Sequence, residues 1–144
     1  MVADPMRIRT ATAADARTVL ELWQAADAVP SVTDDEASVL RLLERDPEAL
    51  LLAVDGERIV GTLIAGWDGW RGNMARLAVL PELRRRGVAS TLVATARARL
   101  AAMGARRVTA LVVTGRAQAE GVWSAVGFEP DPGTTRYVID LDHT

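Results

Sequence analysis

Residues 77–91 join an apolar strand, a proline and three arginines to the start of a helix. A helix N-terminus exposes backbone N–H groups that lack intrahelical partners, and together they carry roughly half a positive charge. Such an end is a ready anion site, above all for phosphate groups. Gly87 and Ala89 are small enough for a pyrophosphate to approach the backbone closely. Further donors are three guanidinium groups and two hydroxyls, those of Arg84, Arg85, Arg86, Ser90 and Thr91.

The segment has two alternative interpretations. A plain strand-to-helix turn with solvated arginines would show the same residue types. A dinucleotide-binding fingerprint does not fit, because the glycine spacing differs and residues 106–109 offer no acidic strand end.

Composition excludes several chemistries. The chain has 144 residues, no cysteine and one histidine, His143, so disulfides, thiolate nucleophiles, Cys-ligated metals and multi-histidine sites are excluded. All 17 basic residues are arginine, which excludes lysine Schiff bases. A net charge of −2 gives no reason to expect nucleic-acid binding. The sequence shows no membrane-length apolar run and no signal peptide, so we expect a cytoplasmic protein.

Local patterns predict the elements that position the anion site, in the order β-α-α-β-β-β-α-β-α-β. The predicted strands are residues 7–9, 49–54, 58–65, 74–80, 107–113 and 134–141. The four helices begin after a capping box at Thr12 and Asp15, at the acidic residues 34–36, at the arginine–glycine turn and at Gln118. This order predicts a mixed sheet covered by helices.

Two motifs at this spacing resemble the GNAT superfamily of acetyl-CoA-dependent N-acyltransferases. The family's strand followed by [QR]-x-x-G-x-[GA] at a helix start corresponds to residues 77–89 here. Its second motif, a strand and then a helix ending in Gly-Phe, corresponds to residues 108–113 and 119–128. The segments 22–23, 46–48 and 66–72 are similar to a subfamily of small bacterial single-domain acetyltransferases.

The resemblance implies the fold. It predicts one domain over residues 1–144, with residues 1–5 disordered. A mixed, mostly antiparallel sheet of six to seven strands would be flanked by four helices. The strands at 74–80 and 107–113 would splay apart to admit the cofactor.

The resemblance also implies a cofactor site. Backbone amides from Arg85 to Ala89, with Ser90, would hold the CoA pyrophosphate. Backbone groups around Val79 would pair with pantetheine, and the Leu77 amide would stabilise the developing oxyanion. The implied cofactor-binding residues are Leu77, Ala78, Val79, Arg84, Arg85, Arg86, Gly87, Val88, Ala89, Ser90, Arg116 and Trp123. Arg116 stands where the family often has asparagine.

The usual acid and base are missing. Many relatives have a tyrosine where this chain has Trp123, and an indole N–H donates a hydrogen bond but is no acid near neutral pH. Tyr137, the one tyrosine, is predicted on the core face of the last strand. Asp68 is the best candidate for binding or deprotonating the amine, with Glu21 a weaker one. The alternative for Asp68 is an Asx turn before Gly69.

Three tryptophans surround the expected acceptor side. Trp67 and Trp70 flank Asp68, and Trp23 lies on the first helix. Together with Asp68 they could bind a cationic amine through cation–π contacts and charge. The alternative is packing, which is the more usual role for Trp23.

The sequence therefore predicts an N-acetyltransferase that transfers an acetyl group from acetyl-CoA to a small-molecule amine or a peptide N-terminus. Without cysteine, a thioester intermediate is excluded and transfer is direct. We expect no metal, no nucleic acid and no membrane partner, and the resemblance is compatible with a homodimer. The rival interpretations are a non-catalytic acyl-CoA-binding module and a structural or partner-binding domain.

Overall fold

The computed structural model describes residues 6–113 and 117–141. One sheet runs in the order β1-β2-β3-β4-β5. Its strands are β1 (Arg7–Thr10), β2 (Leu50–Asp55), β3 (Arg58–Trp67), β4 (Gly72–Val79) and β5 (Val108–Ala110). Neighbouring strands are antiparallel except β4 and β5, which are parallel. The mixed sheet that the sequence predicts is confirmed.

The described part of the chain forms the four expected helices. They are α1 (Ala16–Ala25), α2 (Glu36–Arg45), α3 (Val88–Ala102) and α4 (Ala117–Ala125). A 3₁₀ turn, Ala13–Asp15, precedes α1, and another, Pro81–Leu83, precedes α3. At the first, the Asp15 carboxylate accepts the Thr12 N–H at 2.8 Å, as the capping box requires. At the start of α2, Asp35 accepts the Ser38 N–H at 2.7 Å.

Helices α1 and α3 pack on opposite faces of the sheet. A Cβ on Gly61 of β3 would lie 3.0 Å from Val88 and 3.2 Å from Leu92, so the absence of a side chain lets α3 approach closely. The next residue, Thr62, points to the other face and contacts Trp23 of α1. The helices thereby cover a fully buried set that includes Leu50, Leu52, Leu63, Met74, Leu92 and Leu100.

Within the described residues the sheet has five strands rather than six or seven. Residues 134–141 form no strand, and Tyr137, predicted in the core, is 92% exposed. Local alternation can favour an extended backbone, but a strand also needs a pairing partner, and here the segment has none within the described chain. Residues 1–5, Arg116 and His143, about which the sequence made predictions, lie outside the described residues.

Within residues 6–113 and 117–141, no helix combines the length and the apolar character needed to cross a membrane.

Candidate active site

A cleft opens where β4 and β5 separate. The two strands pair only from Gly72 to Met74 and from Val108 to Ala110, and the Leu111 N–H donates to the Met74 carbonyl at 3.0 Å just beyond. The splay expected between these strands is thus confirmed. A cavity of about 650 Å³ lies in the opening, bounded by residues 76–79 of β4, 111–113, the start of α3, α4 and residues 26–29. This volume is typical of a small-molecule site.

One end of the cavity is the N-terminus of α3. Gly87 precedes the helix at φ 81°, a left-handed conformation that favours glycine. The Thr91 N–H is bonded to the Gly87 carbonyl at 3.0 Å, so the amides of Val88, Ala89 and Ser90 precede the first intrahelical bond. All three residues line the cavity, which places the predicted anion donors at its edge.

The three arginines of the motif have different positions. Arg84 donates through Nε to the Val79 carbonyl at 3.2 Å and through Nη2 to the Ala26 carbonyl at 3.0 Å. It therefore ties the end of α1 to the end of β4, which the sequence did not predict. Arg85 is exposed at the cavity rim, and Arg86 is exposed but does not line the cavity.

A β-bulge lies in the wall formed by β4. The register pairs Thr62 with Ala78 and Ile64 with Ala75, so Leu63 faces two residues, Arg76 and Leu77. Arg76 occupies the left-handed region at φ 57°, which is uncommon for a residue with a side chain.

The bulge fixes the peptide between Arg76 and Leu77. The Arg76 carbonyl accepts a hydrogen bond from Thr62 Oγ1 at 2.8 Å, on the β3 side. In a trans peptide the carbonyl and the following N–H point in opposite directions, and the structure has no cis peptide among its described residues. The Leu77 N–H therefore points away from the Thr62 hydroxyl, and Leu77 itself lines the cavity.

A buried network holds this bulge. Thr62 is 0% exposed, and its hydroxyl also accepts the Trp23 Nε1–H at 2.9 Å. The Arg76 guanidinium lies 5.1 Å from the Trp23 ring centroid. It also pairs with Asp34 at 2.6 Å and donates to the Val29 carbonyl at 3.0 Å. Sequence reasoning missed Thr62, Arg76 and Asp34, although Arg76 is the single charge in β4.

The next part of β4 offers the cavity a backbone edge. The Leu80 N–H donates to the Val60 carbonyl at 3.0 Å, so the backbone groups of Val79 face the opposite way, toward the cleft. The Val79 carbonyl is taken by Arg84, which leaves its N–H facing the cavity. Ala78 and Val79 thus lie where the sequence predicted a cofactor-binding strand.

Asp68 does not line this cavity. Its Oδ1 accepts the N–H groups of Trp70 and Arg71, each at 2.7 Å, and so closes the turn before β4. The amides of Arg71 and Trp70 hold the pKa of Asp68 below its usual value. This geometry favours the Asx-turn alternative. Glu21, on α1, is exposed and also lies outside the lining.

The predicted tryptophan pocket is not assembled. Trp67 is half-buried against the core, and Trp70 is 69% exposed with the Arg71 guanidinium 4.0 Å from its ring centroid. Neither lines the cavity, and Trp23 is buried beneath the bulge.

Asp27 is an acidic residue of the cavity wall that the sequence did not single out. It lies in the segment 26–29 at φ 57° and lines the cavity. Arg84 binds the carbonyl of Ala26 and Arg76 that of Val29, so this segment runs alongside β4 between those two arginines.

Trp123 lies on α4 in the cavity wall, 5% exposed. Its ring packs edge-to-face on Phe128, with the centroids 4.9 Å apart. The Gly-Phe motif therefore fixes Trp123 in place.

The Acetyltransferase (GNAT) family model matches residues 16–128, which hold nearly every element around this cleft. The chain belongs to the GNAT family. An acetyltransferase of Photorhabdus laumondii is 36% identical over 107 residues, covering 74% of this chain and 75% of that relative. The GNAT assignment makes this chain an acetyltransferase enzyme.

Solved structures agree with the GNAT fold. Ard1 from Thermoplasma volcanium matches with a TM-score of 0.78 at 22% identity, covering 89% of this chain and 84% of that one. The aminoglycoside N-acetyltransferase AAC(6')-Iy, solved in complex with CoA, matches with a TM-score of 0.70 at 21% identity, covering 99% of each chain.

Proposed function

We propose that this enzyme transfers an acetyl group from acetyl-CoA to a primary amine by direct attack within a ternary complex. The observation that carries this proposal is the Leu77 amide, turned by the β-bulge into a cavity that has a helix N-terminus at one end. The same cleft then contains a hydrogen-bond donor for a developing oxyanion, the Leu77 N–H, and several donors for a diphosphate, the first amides of α3.

The cofactor would bind along β4. The amides of Val88, Ala89 and Ser90 receive the pyrophosphate, with Arg85 adding charge at the rim. The Val79 N–H pairs with an amide carbonyl of pantetheine, as a further strand would. That AAC(6')-Iy was solved in complex with CoA supports CoA as the ligand of this fold.

The reaction follows from the positions of the groups along the cleft. The amine nitrogen attacks the thioester carbonyl carbon, and the carbonyl oxygen gains charge against the Leu77 N–H. The nitrogen of the tetrahedral intermediate then gives up its surplus proton to solvent, the C–S bond breaks, and CoA leaves as its thiolate. Trp123 donates an indole hydrogen bond toward the sulfur, and water supplies the proton, since indole is no acid near neutral pH.

Asp27 receives the amine. Alkyl amines are mostly protonated at neutral pH and must lose a proton before attack. The Asp27 carboxylate binds the ammonium form and accepts that proton, because it lies in the segment beside β4. Asp68 is assigned a turn-closing role instead.

Calorimetric titration with acetyl-CoA, combined with a thiol-release assay over a panel of amines, tests this function. We expect micromolar binding of acetyl-CoA, and thiol release that depends on the amine. Binding without release for any amine would contradict acetyl transfer while leaving the cofactor cleft intact. No binding at all would contradict the cleft itself.

A further inference from the structure

The cleft has two open sides, one on each face of the sheet. Helices α3 and α4 lie together on one face, where Arg97 of α3 donates to the Val126 carbonyl at 3.5 Å, just after the end of α4. The proposed positions of the diphosphate, at the start of α3, and of the thiolate, at Trp123, belong to that face. The face that carries α1 is left for the second substrate, which must reach the thioester without displacing CoA.

Alternate side chains of residues 108–113 project to opposite faces of the sheet. The even-numbered ones pack against the core on the α3 face, where a Cβ on Gly72 would lie 3.1 Å from Val108 and 2.8 Å from a leucine of α3. The odd-numbered ones are exposed and project from the α1 face. Two of these exposed side chains, Leu111 and Val113, line the cavity.

Exposed apolar side chains border the cavity on both walls of the α1 face. Leu111 is 41% exposed and Val113 45% on the β5 side, and Val29 is 42% exposed on the segment that follows α1. Arg76 donates to the Val29 carbonyl at 3.0 Å, which holds Val29 beside the bulge of β4. Three large hydrophobic side chains that the fold leaves in contact with water therefore border the part of the cavity in which the proposed attack takes place.

Charged side chains on this side of the cavity are few and already assigned. Along β4 and residues 108–113, Arg76 is the single ionisable side chain, and it pairs with Asp34 at 2.6 Å. The other arginines of the cavity lining belong to the motif before α3, where the proposed diphosphate lies. Asp27 is the group to which the proposed function assigns the reacting nitrogen. A second charge on the acceptor would lose water here without gaining a partner among the described residues.

We propose that the acceptor is a primary amine whose nitrogen carries an uncharged, apolar chain, and that this chain lies between Val29 on one wall and Leu111 and Val113 on the other. The inference rests on the proposed acetyl transfer and adds the chemical class of the second substrate. The three side chains stabilise such a chain because its apolar surface and theirs leave water together. Amines with a second charged group are excluded from this position by the cost of removing that charge from water.

A matched set of amines tests the proposal. Hexylamine and 1,5-diaminopentane have the same number of non-hydrogen atoms and differ in a terminal methyl against a terminal ammonium group. At saturating acetyl-CoA, we expect kcat/KM for thiol release to be at least about 10-fold higher for hexylamine. The amine 5-aminopentanoate, which ends in a carboxylate, should be as poor a substrate as the diamine.

The same measurement separates failure of this inference from failure of acetyl transfer. A kcat/KM for either charged amine that equals or exceeds that for hexylamine would overturn the apolar site and leave acetyl transfer intact. Thiol release from no amine, with acetyl-CoA still bound, would overturn the proposed function and this inference with it.

Leu111→Asp places a carboxylate in the proposed site. The ratio of kcat/KM for hexylamine to that for 1,5-diaminopentane should fall by about 10-fold or more, because the new charge repays the desolvation of the second ammonium group. Thr109→Asp is the matched control, since it adds the same charge on the same exposed side of residues 108–113 but outside the cavity lining. Its ratio should equal that of the wild type. A Leu111→Asp variant that binds acetyl-CoA and keeps the wild-type ratio would contradict a chain seated against this wall.

Val29→Ala tests the opposite wall without introducing a charge. The side chain becomes two carbon atoms shorter, so kcat/KM for hexylamine should fall about 3- to 10-fold and that for 1,5-diaminopentane should change less. Val32→Ala is the control, because Val32 is 60% exposed on the same segment and does not line the cavity. Circular dichroism establishes that both variants are folded. Equal effects of the two substitutions on hexylamine would overturn the placement of the chain against Val29.

Discussion

Thr62 is a polar side chain inside an otherwise apolar part of β3, and its hydroxyl holds the peptide that carries the proposed oxyanion donor. The hydroxyl accepts a hydrogen bond from the Trp23 Nε1–H and donates one to the Arg76 carbonyl, so it acts as both acceptor and donor. A side chain that touches no substrate can therefore control the direction of the Leu77 N–H.

Thr62→Val should lower kcat by about 10²-fold and change the acetyl-CoA Kd little, because the bulge peptide loses the group that orients it. The same variant leaves the Trp23 N–H and the Arg76 carbonyl unpaired, at a cost of about 1–3 kcal/mol in the free energy of unfolding. Thr62→Ser keeps the hydroxyl and should retain most of the kcat. Steady-state kinetics, calorimetry and urea unfolding measure the three quantities. Equal kcat values for the valine and serine variants would argue against a positioning role.

Two aspartates compete for the role of amine-binding group. Asp27→Asn should lower kcat/KM on the order of 10²-fold, because the neutral amide neither attracts an ammonium group nor accepts its proton. Asp68→Ala should keep kcat/KM and lower the Tm, because its carboxylate closes a turn. If Asp68→Ala lowered kcat/KM and Asp27→Asn did not, Asp68 would be the amine-binding group, as the sequence predicted.

The role of a single residue can be predicted from sequence when its contacts are local, as the comparison of Asp68 with Arg76 shows. The turn around Asp68 is local, and its Asx geometry was among the alternatives. The Arg76 network joins residues 14 to 47 positions apart, through Thr62, Asp34 and Val29. Contacts over such separations depend on how the elements pack, which residue types alone do not specify.

Among the elements, the junction between β4 and α3 was the most predictable. Proline, three arginines and a glycine are local signals for a strand end and a helix start, and the helix begins at Val88, one residue after Gly87. The role of Arg84 was not visible, because its acceptors are carbonyls of α1 and β4 that only the folded chain brings near.

Gly87→Glu should abolish acetyl-CoA binding, since a carboxylate at the start of α3 repels a diphosphate and occupies its approach. Gly104→Glu is the matched control at the other end of the same helix. Both glycines have positive φ and open space at the Cβ position, so both variants carry a similar backbone strain of about 1–2 kcal/mol. Calorimetry should find no acetyl-CoA binding for Gly87→Glu and an affinity near that of the wild type for Gly104→Glu. Equal acetyl-CoA affinities in the two variants would contradict a diphosphate site at the N-terminus of α3.

The segment 134–141 marks the limit of prediction at the level of elements. Its alternation predicted a strand, and this prediction was wrong, because the described chain offers the segment no pairing partner. Local pattern determines the tendency to extend, whereas pairing depends on which edges are open.

At the scale of the whole molecule, arginine takes part in ion pairs between elements as well as in the proposed anion site. Arg9, Arg76 and Arg99 each pair with an aspartate within 2.8 Å. Arg99, on α3, bonds both carboxylate oxygens of Asp46 and the Ala65 carbonyl, so it joins α3 to the region where α2 ends. A planar guanidinium can make these several bonds at once, which a lysine ammonium does less well.

The pair between Arg9 and Asp15 links β1 to the start of α1 and should make the stability of the whole chain depend on pH. Hydrogen bonds from Arg9 lower the pKa of Asp15 from 3.8 to about 2. A depressed folded-state pKa contributes stability above the unfolded-state pKa, and the contribution is lost as pH falls through the folded one. Asp15→Asn should therefore lower the free energy of unfolding by about 1–2 kcal/mol at neutral pH, and this difference should shrink as the pH falls from about 4 toward 2.

Urea unfolding across this pH range measures the difference, with Glu44→Gln, an exposed carboxylate on α2, as the control. The control removes a negative charge without removing a bond to Arg9, so its free energy of unfolding should stay near that of the wild type over the same range. A difference between wild type and Asp15→Asn that stays constant with pH would assign the loss to packing. In that case the carboxylate charge at the start of α1 would contribute nothing to the acid stability of the fold.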